Sequence, residues 1–165
     1  MKEKRKKFFV SMDQFNAIQK ILDTLHQKVG FDSVLLADHS GQLISRTGEL
    51  SRSDAVSVTA LAAGSFRANQ EIAKVIGDSE FTHITQEGSG RRIYISCMDS
   101  RFFLISVFGE GIALGLVRIM QKKTENELLD ILNTEAEEPA ADMKQKMGDD
   151  FDDLLNQSLS DVLDF

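Results

Sequence analysis

Three histidines and one cysteine are the side chains in this sequence most suited to binding a metal or acting as a nucleophile. His26, His39 and His83 lie on three different predicted elements, and none is paired with another His, Cys or carboxylate at a metal-ligand spacing. Cys97 lies in the strand-like stretch IYISCMD, and no His or basic residue stands at a spacing that would activate its thiol. We therefore expect no metal site, and we expect Cys97 to be a reduced, buried thiol.

The stretch GEGIALG, residues 109–115, is the one place where glycines could bring backbone N–H groups up to a phosphate. Its spacing is G-x-G-x-x-x-G, and the strand before it closes an antiparallel meander instead of opening a parallel βαβ unit. The spacing favours a tight turn from strand to helix. The sequence also lacks the G-x-S-x-G, H-E-x-x-H and Walker-type motifs, so we expect neither a cofactor nor a catalytic site.

The net charge of −7 is distributed unevenly along the 165 residues. Residues 1–7 carry +4, residues 8–133 carry −3 and residues 134–165 carry −8. A nucleic-acid-binding domain would normally present a basic stripe, so this distribution argues against that class. The basic start MKEKRKKFF is either a solvated segment or a weak contact for an anionic membrane surface. Because no apolar run is long enough for a membrane span or a signal peptide, we expect a cytoplasmic protein.

Hydrophobic periodicity predicts eight elements in the order α-β-β-α-β-β-β-α. A first helix spans about 12–29, after a possible capping box formed by Ser11 and Gln14. The second helix, DAVSVTALAAGSFRANQEIAKVI, has Ser53 and Asp54 as its predicted cap and ends before Gly77. Five short strands and a third helix complete the set, and their short turns predict a five-stranded antiparallel sheet of the α+β class. The strand segments are FDSVLLAD, QLISRTG, FTHITQE, RRIYISCM and RFFLISVF, and the third helix is IALGLVRIMQKKTENELLDIL.

The composition divides the chain into four segments. Residues 1–10 are the basic start, 11–133 the folded domain, 134–148 a polar flexible linker with the only proline, and 149–165 an acidic motif. The motif DDFDDLLNQSLSDVLDF has apolar residues at helical spacing among six aspartates, which predicts an amphipathic segment that binds a partner. Its apolar residues are Phe151, Leu154, Leu155, Leu159, Val162 and Leu163.

Helical spacing divides the second helix into two faces. The face predicted to pack on the sheet holds Val58, Leu61, Ala62, Ser65, Ile72 and Ile76. The other face, called the platform below, holds Ala60, Gly64, Arg67, Glu71 and Lys74. A glycine inside a helix costs about 1 kcal/mol relative to alanine, so Gly64 is either a tolerated weak point or a place where another backbone comes close. We favour the contact.

The order of elements and several local strings resemble those of the Roadblock family, which contains small regulators of Ras-like GTPases and is related to dynein light chains of the roadblock type. The strings are VLLADHSGQLISRTG, ALAAGSFRANQEIAKVIG and RFFLISVFGEGIALGLVRIMQKKTENEL, within a match over residues 12–133. The acidic, leucine-bearing tail after a polar linker resembles bacterial members that regulate cell polarity or motility.

The resemblance implies a homodimer in which the edge strand and the second helix of each copy pair across a two-fold axis. The strand residues assigned to this dimer interface are Phe81, His83, Thr85 and Glu87. The paired second helices would bind the GTP form of a small GTPase and stimulate hydrolysis, without an arginine finger. Arg67 is accordingly interpreted as a binding residue, although a trans arginine in phosphoryl transfer is worth about 10³ to 10⁵ in rate. The acidic tail would be a second contact with the same GTPase.

Two other functions are compatible with the same sequence. A Roadblock scaffold or adaptor would keep the dimer and bind a GTPase or another polarity protein without accelerating hydrolysis. A small-molecule sensor would need a pocket with convergent polar groups, and the core segments show mainly aliphatic and Phe side chains.

Overall fold

The computed structural model describes residues 8–134, which form three helices and five strands in the predicted order. Residues 135–148 of the predicted linker, the acidic tail and residues 1–7 of the basic start lie outside the described residues. The elements are α1 (Met12–Val29), β1 (Ser33–Asp38), β2 (Leu43–Gly48), α2 (Arg52–Ile76), β3 (His83–Glu87), β4 (Arg91–Met98), β5 (Phe102–Gly109) and α3 (Leu114–Leu132).

The five strands form one antiparallel sheet in the order β2-β1-β5-β4-β3, which confirms the predicted fold class. The pairs β1–β2, β3–β4 and β4–β5 are hairpins, whereas β1 pairs with β5, which is distant from it in sequence. α2 covers one face of the sheet, while α1 and α3 pack together on the other. β1 and β5 are inner strands of the sheet with helices on both sides, so both of their faces are buried. β3 is left at one edge.

The sheet side of α2 is built from small residues around one phenylalanine. Ala55, Ala62, Ala63 and Ala73 are buried there, and the Phe66 ring lies 4.9 Å from the Phe103 ring between centroids. The predicted face was therefore partly wrong. Ala62 is buried and Val58 and Ser65 are half-buried, but three large aliphatic residues predicted to pack on the sheet are exposed. These residues are Leu61, Ile72 and Ile76.

Polar side chains cap α2 and join α3 to the sheet. The N-cap of α2 is Ser51, whose hydroxyl accepts the Asp54 N–H, so the observed cap lies two residues before the predicted Ser53 cap. α3 is anchored through Gln121, which is fully buried. Its amide donates to the Leu104 carbonyl at 2.9 Å, and its oxygen accepts the Ser106 hydroxyl at 2.6 Å. Gln121 therefore fixes α3 over the centre of the sheet.

Candidate partner-binding surface

Of the five platform residues, Gly64 is half-buried and the other four are exposed. Arg67, Glu71 and Lys74 are exposed, and the Lys74 ammonium lies 2.7 Å from the Glu71 carboxylate. An exposed pair of this kind contributes only about 0–1 kcal/mol to folding. Arg67 makes no ion pair with residues 8–134, so its guanidinium is available to a partner.

Beside the platform, α2 exposes a stripe of large aliphatic side chains that the sequence analysis did not recognise as a surface. The exposed fractions are 73% for Leu61, 52% for Ile72, 87% for Val75 and 66% for Ile76. We call these four residues the aliphatic stripe. Single exposed aliphatic residues are ordinary, but several on one helix mark a surface that a partner covers. The sequence did indicate this stripe, because the alanines of α2 at helical spacing already form a complete sheet-facing side without the larger aliphatic residues.

Gly64 has open space around it within the described chain. A Cβ built on Gly64 meets no atom within 4 Å, so nothing in residues 8–134 approaches this position closely. One glycine that a close approach within the fold does require is Gly41, in the turn between β1 and β2. It has φ +91°, and a Cβ there would lie 3.0 Å from the Ala60 Cα and the Ala63 Cβ. Sequence reasoning missed this contact, because Gly41 reads as an ordinary turn glycine.

β3 presents backbone groups on its outer side that pair with no other strand of residues 8–134. Cys97 donates its N–H to the Thr82 carbonyl, and Gly88 donates to the Arg91 carbonyl. Since backbone groups alternate in direction along an antiparallel strand, the even-numbered residues of β3 face β4. In the other three residues of the strand, the backbone N–H and C=O groups point away from β4. We call these residues the free edge: His83, Thr85 and Glu87.

Before the free edge, the chain is bonded to Gln70 of α2, a residue that the sequence analysis did not single out. The Gln70 side chain donates to the Phe81 carbonyl at 2.7 Å and accepts the Phe81 N–H at 3.1 Å. Both backbone groups of Phe81 are therefore occupied. The same two bonds tie the segment before β3 to α2, so the edge strand and the platform helix are held together as one unit.

Thr85 lies in the middle of the free edge, and its hydroxyl has an unusual environment. The Oγ1 atom is buried and has no hydrogen-bond partner among the described residues. Most buried polar side-chain atoms in proteins do have a partner, and leaving one unsatisfied costs about 1–3 kcal/mol. The side chain projects on the α3 side of the sheet, opposite Tyr94 of β4.

A polar cleft of about 320 Å³ lies between α3 and the β3–β4 edge. Its lining combines two cations of α3 with hydroxyl, imidazole and carboxylate groups: Thr82, His83, Tyr94, Ser96, Cys97, Arg118, Lys122 and Glu125. Glu125 is buried and hydrogen-bonded to the Ser96 hydroxyl. Burial raises the pKa of the half-buried Cys97 thiol, which keeps it protonated and poorly reactive.

Residues 8–134 contain no group of three or more His, Cys, Asp or Glu side chains placed to hold a metal ion. Over the same range, no helix combines the length and hydropathy that a membrane span requires. The tail residues assigned to partner binding, Phe151 to Leu163, lie outside the described residues.

Comparisons with known proteins agree with this geometry. The family model of the Roadblock/LC7 domain matches residues 17–108. MglB of Myxococcus xanthus is 32% identical over 79% of this chain and 98% of its own, with a TM-score of 0.71. The gliding protein MglB of Thermus thermophilus is 21% identical over 78% of this chain and 98% of its own, also with a TM-score of 0.71. An MglB structure with a tetrameric arrangement is 21% identical over 77% of this chain and 96% of its own, again with a TM-score of 0.71. No curated protein sequence matches the chain. The chain belongs to the Roadblock/LC7 domain family.

Proposed function

We propose that this protein is a homodimeric regulator of a Ras-like small GTPase of the MglA type, acting in bacterial cell polarity or motility. The observation that carries the proposal is the exposed aliphatic stripe beside the platform on α2. The chain that presents it is 32% identical in sequence to MglB of Myxococcus xanthus. These four side chains are more than half exposed in residues 8–134. Two copies that pair their α2 helices would cover part of this surface and offer the rest to the GTPase.

The regulator binds the GTP form through the platform and accelerates hydrolysis by positioning the GTPase's own catalytic residues. The position of Arg67 supports a binding role. Arg67 is exposed on the platform beside Gly64, where it serves as a binding residue.

The C-terminal motif is a second contact with the same GTPase. Its six aspartates and its apolar residues at helical spacing suit a surface that is basic around an apolar groove. The predicted flexible linker, residues 134–148, would have an r.m.s. span of about 21 Å, enough to reach another face of a bound partner. We place this regulator in the cytoplasm, concentrated at a cell pole.

The test is phosphate release from an MglA-type GTPase, measured under single-turnover conditions with and without this protein. We expect acceleration that saturates with regulator concentration. Binding of the GTP form without acceleration would identify a scaffold or adaptor instead, and the absence of binding would reject both functions. Glu71→Lys, on the platform, should weaken the effect, whereas Lys20→Glu on the exposed side of α1 should not.

The polar cleft supports a second candidate function, the binding of a small molecule. Its volume of about 320 Å³ lies at the lower end of the range of ligand sites, and Arg118 and Lys122 favour an anionic compound. A thermal-shift screen with small anionic metabolites tests this function. Stabilisation that disappears in Arg118→Ala would support it, and no shift at millimolar concentrations would reject it.

A further inference from the structure

We infer that the outer side of α3 docks on an anionic lipid bilayer, and that the polar cleft beside it holds the phosphate of a lipid headgroup. The inference rests on the anion binding proposed above for the cleft, and it names both the anion and its source. α1 and α3 lie on the face of the sheet opposite α2. The surface concerned is therefore separate from the platform and from the aliphatic stripe.

The charges of α3 divide the helix into two halves. Residues 114–123 carry three cations and no acid, whereas residues 124–132 carry three acids and no cation. We call residues 114–123 the basic half. Its cations are Arg118, Lys122 and Lys123, and all three are exposed. An anionic lipid surface attracts each Lys or Arg close to it by about 1 kcal/mol, so the basic half suits such a surface.

The stability of the helix does not explain this distribution of charge. Acids in the first turn and bases in the last turn stabilise a helix, and α3 has neither. Arg118 and Lys122 are four residues apart, a spacing at which like charges destabilise a helix by about 0.2–0.5 kcal/mol. The Lys122 ammonium lies 3.6 Å from the buried Glu125 carboxylate, but Arg118 makes no ion pair with residues 8–134. An anion held between Arg118 and Lys122 would relieve their repulsion.

Two large aliphatic side chains of the basic half are also exposed, Leu116 at 47% and Ile119 at 70%. Ile119 is three residues before Lys122 and four before Lys123, so helical spacing places it beside both cations. This combination is typical of a helix at the surface of an anionic bilayer, where apolar side chains enter the lipid and cations stay among the headgroups. A bilayer also suits the shape, because these side chains project from a convex helix.

The polar cleft brings hydrogen-bond donors for a phosphate group to the same cations. Arg118 and Lys122 line it from α3, and Tyr94 lines it from β4. Burial raises the pKa of the Tyr94 hydroxyl, with a smaller contribution in the same direction from Glu125, so this hydroxyl keeps its proton and can donate a hydrogen bond. Glu125 is the one carboxylate among the lining residues, and it is already bonded to the Ser96 hydroxyl. Because Arg and Lys form charge-assisted hydrogen bonds with phosphate oxygens, the cleft suits a headgroup phosphate.

Docking through α3 would leave the opposite face of the sheet accessible. The platform and the aliphatic stripe would point away from the bilayer, where a partner can reach them. Outside the folded domain, residues 1–7 carry +4 and would strengthen the attraction, whereas residues 134–165 carry −8 and would weaken it. We therefore expect reversible binding that weakens as the salt concentration rises.

Co-sedimentation of the full chain with lipid vesicles tests the inference. Vesicles of phosphatidylcholine mixed with phosphatidylglycerol should bind the protein, and vesicles of pure phosphatidylcholine should not. One cation near an anionic surface is worth about fivefold in the partition coefficient, so Arg118→Ala and Lys122→Ala should each lower binding by about fivefold at low salt. The matched control is Arg52→Ala, which removes the same charge from an exposed position at the start of α2 and should leave binding unchanged.

A further variant tests the apolar contact. Ile119→Ser changes a side chain that is 70% exposed, so the domain should still fold. It should lower vesicle binding even at salt concentrations that screen the cations. Equal losses in Arg118→Ala and Arg52→Ala would show non-specific attraction and overturn the inference. A loss caused only by deleting residues 1–7 would also overturn it, because the contact would then be the basic start.

Glycerol phosphate separates a lipid headgroup from a free anion. It should lower vesicle binding by occupying the cleft, whereas glycerol should not. Thermal stabilisation by glycerol phosphate that Arg118→Ala abolishes, without any vesicle binding, would keep the anion site and reject the bilayer. No response to vesicles or to glycerol phosphate would reject both. Retention on a polyglutamate resin that Arg118→Ala abolishes, without vesicle binding, would assign the surface to an acidic protein and overturn the inference. None of these measurements uses the GTPase, so their outcome is independent of the proposed GTPase regulation.

Discussion

Replacing Gly64 with alanine tests two quantities separately, the stability of α2 and the affinity of its outer face for a partner. Gly64 is half-buried in the middle of a 25-residue helix, and a Cβ there meets nothing within 4 Å. Alanine therefore gains helix propensity without a clash inside the described domain. We expect about 1 kcal/mol of stabilisation, which raises the Tm by roughly 3–6 °C for a domain of this size.

The same methyl group should weaken partner binding. If the backbone at Gly64 is approached closely by a second copy or by the GTPase, adding a methyl to a well-packed contact costs about 1–3 kcal/mol. That cost corresponds to an affinity about 5- to 150-fold lower for the GTP form. Thermal unfolding gives the first quantity, and titration with a fluorescent GTP-loaded GTPase gives the second.

Gly115→Ala is the matched control, because Gly115 is also a helical glycine with open space, located on α3 across the sheet. It should leave GTPase affinity unchanged. If Gly64→Ala weakens binding no more than this control does, Gly64 is not part of a close contact. If Gly64→Ala lowers the Tm in a monomeric sample, the argument from open space is wrong.

Three further predictions concern the platform, the tail and the core. Arg67→Glu should abolish GTPase binding, while Arg67→Ala should lower affinity but leave the maximal stimulated rate within about tenfold; a thousandfold fall with binding intact would identify an arginine finger. A chain that stops after Glu138 should lose the second GTPase contact, and unchanged binding, nucleotide exchange and stimulated hydrolysis would disprove that role. Gln121→Ala should lower the urea-derived free energy of unfolding by about 2–4 kcal/mol, because the buried Ser106 hydroxyl loses its acceptor and the Leu104 carbonyl and the Ser96 hydroxyl each lose a donor. Exposed Gln27→Ala should cost under about 0.5 kcal/mol, and an equal loss in both variants would show that Gln121 is not an anchor.

The order and the type of all eight elements could be predicted from the sequence, because each has a clear hydrophobic period and ends at a turn or a glycine. Contacts between distant residues left no such local signal. Gln70 is an ordinary polar residue of a long helix until Phe81, 11 positions later, is folded against it. The approach of Gly41 to Ala60 likewise depends on how α2 crosses the sheet.

The second helix shows why the sheet-facing side was predicted incorrectly. The prediction assigned the largest aliphatic residues to the core, which is correct when every large apolar residue is buried by its own chain. Here alanines face the sheet, and they allow α2 to lie close to it. The larger residues, such as Leu61 and Ile72, are left on the outside. A rule based on the hydrophobic periodicity of one chain cannot distinguish this helix from one rotated so that its large aliphatic residues face the sheet.

That error is itself an argument for a partner. Fully burying a Val, Leu or Ile side chain is worth about 1.5–3 kcal/mol, so covering the aliphatic stripe, which is exposed in residues 8–134, would contribute several kcal/mol. The free edge holds backbone groups left unpaired by the described strands, on the strand that Gln70 fastens to the same helix. In the proposed homodimer, one two-fold operation would pair the edge strands and bring the α2 helices together, so a second copy would meet both open features. The exposed positions that remain on α2, Arg67 among them, would then be the ones available to the proposed GTPase.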